Sequence, residues 1–340
     1  MTVTKAIGAI CGSFIVAAAL NVLIYLLPDD PYQRWQLVDG TMFEPLRWSY
    51  ERMHFDDRPI DVAIVGPSKT LLGLSAQRIE EQLSAVGAPA HVANFSVPAA
   101  GRNVQWALLE ELYRAKSPKV IVVGVDDTPH HWGHPAFRYV APAAAIAFPP
   151  APLLHNYAYD LAHLPARQLR LFGARFFPRL FGLRREFDAK AYAKTRSDFT
   201  SGSWVAEGKT VDMDAMVSAE TLLQRRLPPE LPTRADRILL QCCNDGDDHV
   251  YIRKIAEIAA VHGTKLIFVH VPVFQGAEEL VDRDFLSRYG VVLEARDIGK
   301  DLLPDPAQFQ SPGHLNHAGS VKFSDRVASA IASSIMSTTP

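Results

Sequence analysis

Cysteine is nearly absent: three residues in 340, Cys11, Cys242 and Cys243. That excludes a disulfide framework. Neighbouring cysteines bridge only with backbone distortion, so Cys242 and Cys243 read as small core hydrophobes. No C-x-x-C or Cys/His spacing suggests zinc. A basic excess is also missing, with a formal net charge of -2, and this removes the usual footprint of a nucleic-acid binder. Charged residues at 21% and apolar residues at 48% exclude wholesale disorder. No internal repeat is visible. No cofactor is indicated.

What is present begins with residues 6–27, AIGAICGSFIVAAALNVLIYLL, which carry no charge. About 20 such residues span a bilayer core as a helix. Lys5 and the amino terminus precede the run, and Asp29 and Asp30 follow it. The positive-inside bias then puts the remainder on the extracytoplasmic side of the cytoplasmic (inner) membrane, as a single-pass protein. A signal peptide cleaved near Ala17-Ala18-Ala19 and a buried core helix are the competing readings. Length and flanks favour the anchor.

Beyond it, residues 29–58 read as a juxtamembrane connector. DVAIVG (61–66), HVANFSV (91–97) and KVIVVGV (119–125) are short apolar β runs. They alternate with the amphipathic stretches 75–88, capped by Ser75, and 103–116. The pattern resumes with a candidate strand at 237–243, a helix at 249–263, a strand at 265–273 and a closing helix at 317–335. Continuous apolar strands alternating with helices predict an α/β fold of the flavodoxin-like kind, a parallel sheet between two helical layers. The predicted organisation is an anchor at 1–28 and an α/β domain at 59–335. A Pro-rich, irregular insertion interrupts that domain over residues 129–235.

In such sheets, functional groups gather at the carboxyl ends of the strands. Ser68 follows the first strand in GPSKT, a small-residue loop (NFSVPAAGRN, 94–103) follows the second, and Asp126 and Asp127 follow the third. His314 lies in SPGHLNHAG (311–319), in what reads as a loop before the last helix. A serine hydroxyl attacks a carbonyl only when a base takes its proton, so Ser68 and His314 suit a nucleophile and its general base.

The order of these pieces resembles the SGNH (GDSL-like) hydrolase superfamily over residues 60–128 and 237–335. The matching segments are Gly66-Pro67-Ser68, Asn94 with its loop, Gly124-Val125-Asp126-Asp127, and His314-Leu315-Asn316-His317-Ala318-Gly319. The resemblance implies Ser68 as nucleophile and His314 as base, with Ala99 or Gly101 donating a backbone N–H to the oxyanion. With the N-terminal run, it implies a membrane-tethered acyltransferase or esterase acting on a cell-envelope polysaccharide or related polymer. It also implies a membrane-bound O-acyltransferase as partner.

Two positions depart from the family pattern. Ser311 stands where the family's Asp orients the histidine, with Asp305 the alternative. Asp126 stands where the family's Asn supports the oxyanion, and an ionised carboxylate only accepts hydrogen bonds. These departures also suit a scaffold or polymer-binding subunit of an envelope complex. A flavodoxin-like intracellular domain with a chance motif is a third reading; it requires that the run be no anchor.

His130, His131 and His134 stand near Asp126 and Asp127, more suited to a polar site rim than to a metal. DGDD at 245–248 lacks the glutamate of an EF-hand loop and suits a helix N-terminus. Residues 161–196 hold nine Lys/Arg against two Asp/Glu, interleaved with phenylalanines. Such a stretch fits a cap helix with a solvated basic face, an anionic membrane surface or an acidic polymer.

Overall fold

Val62–Val65 (β1) is buried at every position, as is Val120–Val125 (β3). A strand without a polar face must be covered on both sides, which forces a central position in the sheet. The computed structural model, which describes residues 19–127, 132–151, 156–206, 208–225 and 247–336, has this arrangement. β1 pairs in parallel with Val92–Asn94 (β2) on one side and with β3 on the other. Two antiparallel ribbons follow in the chain: Ser203–Ala206 (β4) with Lys209–Asp212 (β5), and later Phe309–Ser311 (β8) with His314–Leu315 (β9). Between them Lys265–His270 (β6) joins β3, and Val291–Leu293 (β7) closes the far edge. The parallel sheet therefore runs β2-β1-β3-β6-β7. This is the doubly wound order of flavodoxin-like α/β proteins.

The core divides into two apolar layers, one on each face. One face packs the helices Arg102–Ala115 and Asp247–Val261, through residues such as Val104, Leu108, Ile252 and Ile255. The other packs Ala76–Ala85 and the closing helix His317–Met336, through Ile79, Leu83, Phe323 and Val327. Ser75 caps its helix by accepting a hydrogen bond from Arg78 N, and Gly263 takes the left-handed conformation after Val261, which is the usual way to end a helix.

Several elements differ from the sequence-based expectation. The segment expected to serve as a connector forms the helices Pro31–Trp35 and Pro45–His54, and Trp35, Leu46 and Met53 are fully buried in the first layer. The fifth strand, β7, went unrecognised because three residues carry too little periodicity to register. Among the described residues of the insertion, the longest helix, Tyr157–Phe176, packs on the first layer through Leu164. Residues 19–25 are helical. The rest of the apolar run, residues 6–18, and the candidate strand 237–243 lie outside the described residues. Among the described residues no helix is long and apolar enough to cross a membrane.

Candidate functional site

The carboxyl ends of β1, β2, β3 and β6 meet the β8–β9 ribbon at one edge of the domain. β1 delivers Gly66-Pro67-Ser68, and Ser68 is the first residue of the short helix Ser68–Gly73. In β8–β9 the antiparallel register sets Ser311 opposite His314, so both side chains project to the same side. His314 was expected in a loop; the ribbon holds it instead. Asn316 then fixes the start of the closing helix: its Oδ1 accepts from Gly319 N (3.0 Å) and its Nδ2 donates to Ala307 O (2.8 Å). Gly319 is required by close approach, since a Cβ there would strike the Gln308 carbonyl oxygen.

This scaffold brings Ser68 Oγ to 2.9 Å from His314 Nε2 and Ser311 Oγ to 2.9 Å from His314 Nδ1. For Nε2 to accept the serine proton, Nδ1 must carry the ring hydrogen and donate it to Ser311. Burial, reinforced by the nearby Lys69 charge and opposed by Asp126, lowers the His314 pKa to about 4. The imidazole is therefore neutral, and able to act as a base, throughout the neutral range. Asp305 does not reach it. Its carboxylate accepts from Ala307 N (3.0 Å) and Gln308 Nε2 (2.7 Å), capping the turn at Pro306–Gln308.

The structure places Ala99 and Gly101 differently. Ala99 lines a cleft of ≈ 350 Å3 together with Ser68, Ser311 and His314. Its φ of 78° is uncommon for a residue with a Cβ and is the kind of strain stored at functional loops. Gly101 is buried, with φ 130°, and a Cβ would collide with the His134 backbone. Its role is to let the two chain segments approach each other. Among the described residues the backbone N–H groups of Ser68 and Ala99 make no hydrogen bond, which leaves them available to an oxyanion. Asn94 faces away from the cleft chemistry: its amide donates to Thr70 O and Leu74 O, and its Oδ1 accepts from Ser96 N.

Asp126 is not an isolated carboxylate. Lys69, directly after Ser68, forms a 2.7 Å ion pair with it, and both side chains are largely buried. Burial alone would lower the Lys69 pKa, but Asp126 and the nearby Asp127 outweigh it and hold the pKa above the ordinary lysine value. Asp127 in turn accepts from His270 Nε2 at 2.6 Å. Burial opposes its charge, and the His270 bond and Lys69 reverse the balance, so its pKa lies below the ordinary value. Lys69 and His270 were missed by sequence reasoning. Lys69 sits inside the GPSKT motif, where adjacency to the serine was a usable signal. His270 ends an apolar strand, where a lone histidine carried none.

His134 is no part of a polar rim. It is buried, accepts from Ala136 N at Nδ1 (3.0 Å), and pairs with Pro98 O through Nε2 (2.7 Å). Burial lowers its pKa to about 4, and it braces the Ala99–Gly101 loop. His130 and His131 lie outside the described residues. Among the described residues no cluster of His, Cys, Asp or Glu suits a metal ion.

The insertion supplies part of the walls. Met42, Leu71, Leu72, Trp204 and Val211 make the cleft largely apolar, with Trp204 and Val211 supplied by the β4–β5 ribbon. That ribbon is docked beside the histidine motif by His317 N donating to Met213 O (2.8 Å) and by His317 Nδ1 bonded to Thr200 O (2.9 Å). A wider groove of ≈ 970 Å3 shares Met42, Leu71, Pro98 and Trp204 with the cleft and runs past Phe43, Phe199, Lys194 and Arg196. Neither a protein-family model nor a curated protein sequence matches this chain.

Proposed function

We propose that this protein is a membrane-tethered, SGNH-like serine acyltransferase or esterase acting on a cell-envelope polysaccharide or related polymer. The observation that carries the reading is the Ser68–His314–Ser311 chain of 2.9 Å contacts at the mouth of an apolar cleft. Ser68 Oγ attacks the acyl carbonyl carbon as His314 Nε2 takes its proton, giving a tetrahedral oxyanion. The Ser68 and Ala99 N–H groups, without another hydrogen bond among the described residues, serve as donors to that oxygen in this reading, and the Lys69 ammonium cancels the Asp126 charge beside it. His314 returns the proton to the leaving oxygen, which departs as an alcohol and leaves an acyl-serine. An acceptor hydroxyl or water then loses its proton to His314 and attacks the acyl carbon, and His314 passes that proton to Ser68 Oγ as the acyl–serine bond breaks. A hydroxyl acceptor makes the reaction transfer; water makes it hydrolysis. The extracytoplasmic placement rests on the charge-free run at 6–27, and the O-acyltransferase partner rests on the family resemblance alone.

The test is labelling by a fluorophosphonate serine probe. Wild type reacts and Ser68→Ala does not; labelling that persists in Ser68→Ala excludes Ser68 as the nucleophile. A second reading, a scaffold that binds the polymer without turning it over, is favoured by the neutral Ser311 in place of a carboxylate. Glycan binding without turnover of acetyl or p-nitrophenyl esters selects it.

A further inference from the structure

One side of the Tyr157–Phe176 helix is buried through Leu164, Arg167, Gln168 and Leu171. A second, adjoining side carries Leu161, Pro165, Leu169, Phe172 and Phe176, spaced 4, 4, 3 and 4 residues apart and therefore aligned in one stripe. At 1.5 Å per residue the stripe is about 22 Å long. It faces solvent: Leu169 is 50% and Phe176 59% exposed, and beyond the helix Phe177 and Leu180 reach 66% and 79%.

Along its own stretch of chain the charges are all of one sign. Residues 161–185 contain six arginines and no Asp or Glu. Arg167 is consumed internally, donating to Ala141 O and Gln168 Oε1, and Arg184 lies near Asp39 and Asp188. Among the described residues, the exposed Arg170, Arg175, Arg179 and Arg185 form no ion pair.

The stripe also begins where the N-terminal apolar run ends. Val22 and Tyr25 line one apolar cleft with Phe148, Leu161 and Pro165. Gln168 Nε2 donates to Leu27 O at 3.1 Å, and Asp29 pairs with Arg34 at 3.1 Å. The end of the run is thus held against the helix that carries the stripe, and the residues before it, 6–18, have no charge.

We infer that this arginine-rimmed apolar stripe rests on an anionic phospholipid surface, so that the domain lies against the bilayer. Leu and Phe side chains enter the acyl boundary while the guanidinium groups reach lipid phosphates, the mode of an interfacial amphipathic helix. A protein partner would also cover apolar surface. An all-arginine rim joined to a membrane-directed segment favours lipid. The inference rests on the tethered placement proposed above, and the experiment separates the two.

The full chain is reconstituted in vesicles of phosphatidylethanolamine and phosphatidylglycerol with brominated acyl chains, which quench tryptophan on contact. The added fluorescence of three variants is read against wild type: Leu180→Trp just past the far end of the stripe, Leu20→Trp in the run, and Val86→Trp beyond the opposite sheet face. The expected result is loss of the added emission at 180 and 20 but not at 86. Combining Leu180→Trp with Arg175→Gln and Arg179→Gln should restore emission at 180 while leaving position 20 quenched. Quenching at 20 without quenching at 180 overturns the inference and leaves tethering intact, as would be seen if a protein covers the stripe. Quenching at neither overturns both.

Discussion

Replacing Lys69 with methionine should expose how the site tolerates a carboxylate where an oxyanion would form. The Lys69–Asp126 pair is close, at 2.7 Å, and its side chains are 27% and 9% exposed. Removing one member of a well-buried pair typically costs about 3–5 kcal/mol, because the other charge is left desolvated. The partial exposure of Lys69 lets water screen the survivor, which brings the expected loss to about 2–3 kcal/mol. The chemistry should suffer more specifically. Lys69 lowers the His314 pKa and Asp126 raises it, so Lys69→Met removes the first influence and keeps the second. The imidazole then stays protonated to higher pH, moving the acid limb of reactivity upward from about pH 4. A carboxylate facing the oxyanion should further slow reaction on the neutral plateau, by about 10²-fold if it cancels one oxyanion donor. The pH dependence of fluorophosphonate labelling reports both effects without knowledge of the natural substrate, and urea denaturation reports stability. Adding Asp126→Asn to Lys69→Met removes the orphaned charge and should recover most of both losses, a coupling of about 2 kcal/mol. Labelling profiles for Lys69→Met that superpose on wild type, with additive single and double mutants, would refute this account of Asp126.

Further predictions concern the imidazole and the loop beside it. Wild-type labelling should hold steady through the neutral range and fall only as pH drops through about 4, because only then does His314 protonate; a midpoint near the ordinary histidine value contradicts the burial argument. Ser311→Asp puts a carboxylate on Nδ1 and favours imidazolium, so the acid limb should shift upward. Ser311→Ala removes the acceptor for the ring hydrogen and should reduce labelling about fivefold at neutral pH, consistent with a hydrogen bond worth about 1 kcal/mol. Gly101→Ala forces a Cβ onto the His134 backbone at φ 130° and should cost about 1–3 kcal/mol in urea denaturation. An unchanged midpoint there would mean that the loop yields easily.

The sheet was legible because its central strands have no polar face. DVAIVG and KVIVVGV admit few structures other than buried parallel strands, and the amphipathic stretches between them, with Ser75 and Gly263 as boundaries, determine the covering helices by local chemistry alone. The positions of Ser68 and Asp126 just past their strands followed from the same rule. The three-residue β7 and the buried helices over residues 31–54 were not legible. Their local pattern is weak, and long-range burial of Trp35, Leu46 and Met53 stabilises them.

What only the tertiary structure decided are the pairings between residues distant in sequence. Ser68 and His314 are 246 residues apart, and no periodicity relates them. The β8–β9 register selects Ser311 over Asp305 as the histidine's partner, and the Ser68 helix turns Lys69 onto Asp126. Sequence by itself determines which backbone each segment prefers, because propensity and burial pattern act over a few residues. Which charges neutralise one another, and which hydroxyl meets which ring, depends on angles and registers that arise only when the layers pack.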